Sequence, residues 1–188
     1  MSITLNAITP DFAAEIYDVD LTQPVSEADF RAIQQAFWKY ALLIFPDQVL
    51  SQEQQLAFSA RFGPIEKERT LDPKATPSRF DGAFADISNL TNDGKIWAET
   101  SRQRMYKLGN RLWHTDSSFK RLPSLTSLLY ASTVVPIGGH TEFADQRAAY
   151  DALPEARKRQ LEGLIAEHWI RYSRLRTGFS EFNEDEQK

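Results

Sequence analysis

The sequence predicts a fold of mixed α-helices and β-strands, in which strands dominate the middle of the chain. Two signals of the kind that cap helix N-termini, Ser26–Asp29 and Ser51–Gln54, indicate helices in the first third. Short apolar runs separated by Pro and Gly over residues 113–144 indicate strands. The length of 188 residues, with 41% hydrophobic and 26% charged residues, is typical of a globular protein. We therefore expect one domain over residues 1–188.

The helices are predicted from local signals in chain order. The first helix has apolar residues at helical spacing: Phe30, Ile33, Phe37 and Ala41. The second begins at Ser51 and ends at Gly63-Pro64. Two more are predicted later, one capped by Asp145 and running through Tyr150, the other over 154–164 with Pro154 near its first turn.

The strands and loops are predicted from apolar runs and their breaks. Strands are expected at 42–45, 85–89, 113–119, 125–135, 140–144 and 167–174. Residues 66–84 are polar and predict a long loop, and Asn92-Asp93-Gly94 predicts a turn.

The composition excludes several classes of protein. The absence of cysteine excludes disulfides, thiolate metal sites and cysteine nucleophiles, and it fits a cytoplasmic protein. A net charge of −4 without a basic face argues against nucleic-acid binding. The sequence contains no apolar run near the ~18 residues of a membrane span, and its N-terminus lacks the features of a secretory signal. The sequence leaves a homo-oligomer open.

The stretch Trp113-His114-Thr115-Asp116 is the candidate metal site. Residues two apart on a strand share a face, so His114 and Asp116 can offer an imidazole and a carboxylate to one ion. Two histidines and one carboxylate form the facial triad of non-haem Fe(II) oxygenases. With three histidines and 26 acidic residues in the chain, this spacing also arises by chance. A solvent-exposed histidine at a strand end is the alternative interpretation.

Four stretches together resemble the taurine/2,4-dichlorophenoxyacetate dioxygenase family. They are "ALLIFPDQVLSQEQQLAFSARFGPIE" (41–66), "ADISNLTNDGK" (85–95), "WHTDSSF" (113–119) and "VVPIGGHTEFADQRAAYDALP" (134–154). Several of them look more like the phenoxyalkanoate-cleaving branch than the taurine branch.

The resemblance implies a double-stranded β-helix, or jelly roll, with flanking helices. It also implies an enzyme that uses Fe(II), 2-oxoglutarate and O₂ to hydroxylate a small anionic substrate. His114 and Asp116 would be metal ligands and catalytic residues, and Thr141 and Asn110 would bind the co-substrate. For Thr141 the alternative is a turn hydroxyl after Gly138-Gly139.

The expected substrate is a phenoxyalkanoate, with taurine or another sulfonate as the alternative. Lys95 and Ser118 are candidates to contact it, although Lys95 also fits a solvated lysine. His140 is expected in an exposed loop, and His168 is expected to pack or to support the site rather than bind metal.

The family's third iron ligand, a histidine, and its 2-oxoglutarate arginine have no counterpart before Lys188. The sequence also offers fewer strands than the roughly eight that a jelly roll needs. We therefore expect a jelly roll that is incomplete at its C-terminal end, and little turnover from a chain that stops at Lys188. A catalytically inactive scaffold and a zinc or manganese cupin-like isomerase are the remaining alternatives.

Overall fold

The computed structural model describes residues 3–66, 80 and 82–182. The strands are β1 (Thr4–Ala7), β2 (Ala14–Tyr17) and β3 (Leu43–Ile44). The helices are α1 (Glu27–Tyr40), α2 (Gln52–Ser59), α3 (Arg102–Lys107), α4 (Gln146–Asp151), α5 (Glu155–Leu161) and α6 (Ile170–Arg176). Two 3₁₀ turns span Ala60–Phe62 and Leu108–Arg111. No helix in these described ranges has both the length and the apolar character needed to cross a membrane.

The chain divides into two compact units. The first unit comprises Met1–Phe62 and Leu128–Leu164, and the second comprises Gly63–Ser127 and Ile165–Lys188. The prediction of one domain over residues 1–188 stays a prediction.

The first unit contains a three-stranded sheet covered by α1. β1 and β2 are antiparallel, with Leu5 opposite Ile16, and β3 lies parallel to β2 on its other side. Alternation along β2 buries Ala14 and Ile16 on one face. Against them α1 buries Phe30, Ile33, Ala36 and Tyr40. Because these four residues follow helical spacing, one face of α1 closes this core.

An aromatic cluster extends this core. The Phe30 and Phe62 rings lie 5.0 Å apart, and Phe58 lies 5.6 Å from both Phe45 and Phe62, all edge to face. This arrangement suits the quadrupoles of the rings.

The predicted helix starts are confirmed. Ser26 caps α1 by accepting from the Asp29 N–H at 3.1 Å, and Ser51 with Gln54 forms a full capping box on α2. Asp145 caps α4 by accepting from the Arg147 N–H at 2.9 Å. At the other end of α1, Ala41 is not a core position: it takes a left-handed φ of 58° and ends the helix.

Most predicted strands are wrong. Residues 113–119, 125–135 and 140–144 are turns and coil, and 85–89 is coil beside an isolated bridge from Leu90 to Ile96. The predicted strand at 42–45 is reduced to β3, which is only half-buried. A strand needs a hydrogen-bonded neighbour, and within the described ranges none pairs with these segments. The described residues therefore form one small sheet and do not complete the predicted double-stranded β-helix.

The second unit is built from helices and turns. The predicted strand at 167–174 is wrong, because α6 occupies this region. Its small apolar centre is Phe179, 2% exposed, with the Tyr106 ring 5.3 Å away. The predicted turn at 92–94 is confirmed by the Gly94 N–H, which donates to the Thr91 carbonyl at 3.0 Å. The predicted loop at 66–84 lies largely outside the described residues.

Candidate metal centre

His114 and Asp116 converge in the second unit. The His114 Nε2 atom lies 3.2 Å from Asp116 Oδ1, and both side chains reach solvent, with 46% and 61% of their surface exposed. His114 lies in coil and Asp116 begins a turn, so the pair is not on the strand that the sequence predicted.

A hydrogen bond fixes the orientation of the imidazole. His114 Nδ1 lies 2.7 Å from the Leu112 carbonyl oxygen. Because a carbonyl oxygen only accepts, Nδ1 carries a proton and donates it. In the neutral ring, Nε2 then presents its lone pair toward Asp116.

The Asp116 carboxylate is held in the same way. The Ser127 hydroxyl donates to Oδ2 at 2.8 Å, and this leaves Oδ1 facing His114. Two lone-pair atoms at 3.2 Å repel each other unless a cation, either a proton or a metal ion, lies with them. Hydrogen bonds hold the other polar atom of each side chain, His114 Nδ1 and Asp116 Oδ2. An imidazole nitrogen and a carboxylate oxygen held in this way are a donor set that fits Fe(II).

A polar cluster surrounds the turn after Asp116. Glu66 accepts hydrogen bonds from Ser117, Lys120 and Ser124, and the contact with Lys120 is also an ion pair. The hydrogen bonds from Lys120 and then Ser124 hold the pKa of the Glu66 carboxyl below its ordinary value. The Glu66 carboxyl is therefore ionised near neutral pH.

Asn110 contacts an arginine on α6. The Arg174 guanidinium donates from Nη2 to Asn110 Oδ1 at 3.0 Å, and its centre lies 4.7 Å from the centroid of the Tyr106 ring. An added Cβ on Gly109 would lie 2.6 Å from Arg174 Cζ, so a larger residue there would displace the flexible end of the arginine side chain.

The two candidate substrate residues have separate partners. The Ser118 hydroxyl lies 2.9 Å from His168 Nδ1, so His168 is an exposed neighbour of the turn rather than a packed residue. Lys95 pairs with Asp93 at 2.7 Å on the exposed 92–94 turn, and its side chain is 81% exposed. These contacts do not join Lys95 or Ser118 to the ligand pair.

Thr141 belongs to the first unit. It lies in an exposed coil after Gly138 and Gly139, whose φ angles of 77° and 69° are left-handed. His140 is exposed in the same coil, as predicted.

The described residues contain no group of three or more His, Cys, Asp or Glu side chains that could hold a metal ion. His114 and Asp116 are thus a two-residue donor set in this part of the chain. Sequence reasoning missed Ser127, which bonds the Asp116 carboxylate, and Glu66, which bonds the turn after it, and no local pattern marked either.

Comparison with known proteins identifies the family. Residues 4–188 match the family described as "Taurine catabolism dioxygenase TauD, TfdA family". The chain belongs to this family. This confirms the resemblance seen in the sequence.

Three relatives of the TauD/TfdA family are close. The chain is 42% identical to the alpha-ketoglutarate-dependent 2,4-dichlorophenoxyacetate dioxygenase of Cupriavidus pinatubonensis, over 98% of this chain and 64% of that protein. It is 39% identical to the (S)-phenoxypropionate/alpha-ketoglutarate-dioxygenase of Sphingobium herbicidovorans, over 89% of this chain and 53% of that protein. The crystal structure of AAD-2 in complex with Mn(II) and N-oxalylglycine matches with a TM-score of 0.94 and 42% identity, over 100% of this chain and 65% of that chain.

The chain therefore spans less than two thirds of the length of these relatives. Its fold is that of the corresponding part of a TauD/TfdA-type dioxygenase, a class with a jelly-roll fold.

Proposed function

We propose that His114 and Asp116 are two ligands of a mononuclear Fe(II) site in a 2-oxoglutarate-dependent dioxygenase. The observation on which this proposal depends is the distance of 3.2 Å between His114 Nε2 and Asp116 Oδ1. A hydrogen bond holds the other polar atom of each side chain, His114 Nδ1 and Asp116 Oδ2. Membership of the TauD/TfdA family supports it. The AAD-2 structure, with Mn(II) and N-oxalylglycine, supports a metal and a 2-oxoglutarate-like ligand in this fold.

The residues of the chain prepare the site before any ligand enters. The Leu112 carbonyl keeps the His114 proton on Nδ1, so that Nε2 is free to bind metal. The Ser127 hydroxyl bonds Asp116 Oδ2, and the other carboxylate oxygen, Oδ1, then faces His114 Nε2. Fe(II), when bound, supplies the centre at which 2-oxoglutarate and O₂ are activated.

Asn110 and Thr141 are proposed to bind 2-oxoglutarate. Arg174 occupies the Asn110 carbonyl oxygen, so the amide N–H groups remain to donate to a carboxylate. Thr141 offers a hydroxyl from an exposed coil. For the whole protein, we propose a third iron ligand and the further strands of a double-stranded β-helix.

The proposed substrate is a phenoxyalkanoate. Two relatives are dioxygenases of 2,4-dichlorophenoxyacetate and of (S)-phenoxypropionate, and this supports a phenoxyalkanoate over taurine. Lys95 and Ser118 are the proposed contacts for the anionic substrate. In the overall reaction, substrate, 2-oxoglutarate and O₂ give a hemiacetal, succinate and CO₂. The hydroxyl enters at the carbon that bears the aryloxy group, and the hemiacetal then separates into a phenol and an oxo acid.

An anaerobic titration of the purified protein with Fe(II) and 2-oxoglutarate tests the metal site. We expect a visible charge-transfer band that His114→Ala abolishes, because Nε2 is lost. His140→Ala is the matched control, since this exposed histidine lies in the other unit, and we expect it to keep the band. A folded wild-type protein without the band, or a band that survives His114→Ala, would contradict the proposal.

Succinate release then tests the substrate. We expect release with 2,4-dichlorophenoxyacetate to exceed release with taurine. The opposite order would favour a sulfonate dioxygenase. No O₂ consumption with either compound, in a protein that shows the band, would favour a binding scaffold.

A further inference from the structure

Glu66 gathers three donors from the segment that follows Asp116. Its carboxylate accepts from the Ser117 hydroxyl, 3.2 Å from Oε2, and from Lys120 and Ser124. Glu66 and Ser117 are 51 residues apart, so tertiary structure creates the cluster. We propose that Glu66 is a positioning residue that holds Asp116 in its ligand orientation. This inference rests on the proposed function.

The first segment that Glu66 holds is the turn directly after Asp116. Ser117 has a φ of 55°, a left-handed conformation that a non-glycine residue keeps only when its surroundings impose it. The Lys120 N–H donates to the Ser117 carbonyl at 2.9 Å and closes the turn. Glu66 binds the side chains at both ends of this turn. Because Asp116 directly precedes Ser117, the turn sets the direction of the Asp116 side chain.

The second segment carries the hydroxyl that orients the Asp116 carboxylate. Ser127 donates to Oδ2 at 2.8 Å. Ser124, three residues before Ser127, donates to Glu66. Glu66 thus restrains both the backbone that bears Asp116 and the segment that bears its hydrogen-bond donor. Residues that orient metal ligands in this way commonly change metal affinity.

Binding of Mn(II), added as its chloride alone, tests the inference. Free Mn(II) is measured by electron paramagnetic resonance in wild type, Glu66→Gln and Glu66→Ala, and His114→Ala serves as the blank that defines binding at the site. We expect Glu66→Ala to weaken site-specific binding by about tenfold or more. Glu66→Gln keeps the size of the side chain and two acceptor lone pairs, so we expect a smaller loss.

Glu99→Gln is the matched control. Glu99 lies in the same unit, is 90% exposed and pairs with Arg104 at 3.5 Å. We expect it to leave Mn(II) binding unchanged. Circular dichroism without metal checks that each variant is folded. If Glu66→Ala does not fold, Mn(II) binding by Glu66→Gln tests the inference.

Hydrogen exchange provides a readout without metal. We expect the amides of residues 117–120 to exchange faster in Glu66→Ala than in wild type or Glu99→Gln. Unchanged Mn(II) binding in the folded Glu66 variants, or an equal loss in Glu99→Gln, would overturn the inference. If wild type binds no more Mn(II) than His114→Ala does, the proposed metal site fails, and the exchange rates alone decide the role of Glu66. Unchanged rates would then overturn it.

Discussion

The Arg174 guanidinium contacts several residues of the second unit. It donates to Asn110 Oδ1 at 3.0 Å, stacks 4.7 Å from the Tyr106 centroid and fills the space beside Gly109. The planar guanidinium can stack and donate together, whereas an ammonium is a point charge. The orientation of the proposed co-substrate amide therefore depends on arginine at this position.

Replacing Arg174 by lysine removes the fork and the planar stacking group. We expect Arg174→Lys to lower the free energy of unfolding by about 1–2 kcal/mol, from the lost charge-assisted hydrogen bond and weaker ring contact. Urea unfolding followed by circular dichroism measures this change. Arg176→Lys, on the exposed side of the same helix, is the control, and we expect it to be nearly neutral. Equal losses in the two variants would show that the Asn110 contact adds nothing.

At this scale, the sequence indicates candidate ligands but does not indicate the residues that bond to them. His114 and Asp116 are two residues apart, and their chemistry is visible in the motif. Glu66 reaches Ser117 across 51 residues, and Ser127 reaches Asp116 across 11. Such contacts depend on how distant segments pack, and one sequence carries no local signal for them.

At the scale of elements, Arg147 ties the start of α4 to the end of α1. Its Nη1 donates to the carbonyls of Trp38 at 3.2 Å and Lys39 at 3.0 Å, and its Nη2 donates to the Asp11 carbonyl at 3.1 Å. Carbonyls in the last turn of a helix lack partners within the helix, and a cation there also suits the helix dipole. Asp145 pairs with the same guanidinium at 2.9 Å.

Removing this guanidinium leaves the end of α1 without its donor. We expect Arg147→Met to lower the free energy of unfolding near neutral pH, because three backbone carbonyls lose their charged donor. Arg157→Met on α5, whose partner Gln160 lies on the same helix, is the control, and we expect little change. Urea unfolding of both variants checks this, and a loss no larger than that of Arg157→Met would contradict it.

The loss in Arg147→Met also depends on pH. The hydrogen bond from Arg147 holds the pKa of the Asp145 carboxyl below its ordinary value. A carboxyl with a lowered folded pKa adds stability above its unfolded pKa, and this stability is lost as the pH falls through the folded value. We therefore expect the difference between Arg147→Met and wild type to shrink as the pH falls below about 4.

The helices were predictable because their signals are local. Ser26, Ser51 and Asp145 each bond a backbone N–H within three residues, and a sequence displays such neighbours directly. The apolar runs at 113–144 show only that a segment suits a strand. Whether it becomes one depends on a partner strand, which a residue pattern does not specify.

At the scale of the molecule, apolar residues divide between a small core and an exposed set. Ile16 and Ile33 are 1% and 0% exposed in the core beneath α1. Val134 and Ile137, in the same unit, are 80% and 90% exposed. Exposed apolar surface of this kind promotes dye binding and association. The two sets should therefore respond differently to substitution.

A substitution in the core and a double substitution on the exposed surface test this division. We expect Ile33→Ala to lower the free energy of unfolding by about 2–5 kcal/mol, because it leaves a cavity in the core. We expect Val134→Thr with Ile137→Thr to change it by no more than about 0.5 kcal/mol, because both side chains are already in water. The same pair should reduce the fluorescence of bound anilinonaphthalene sulfonate and the sedimentation of associated species, whereas Ile33→Ala should reduce neither. If the exposed pair costs as much stability as Ile33→Ala, these side chains are covered in the folded protein, and the core is larger than the cluster beneath α1.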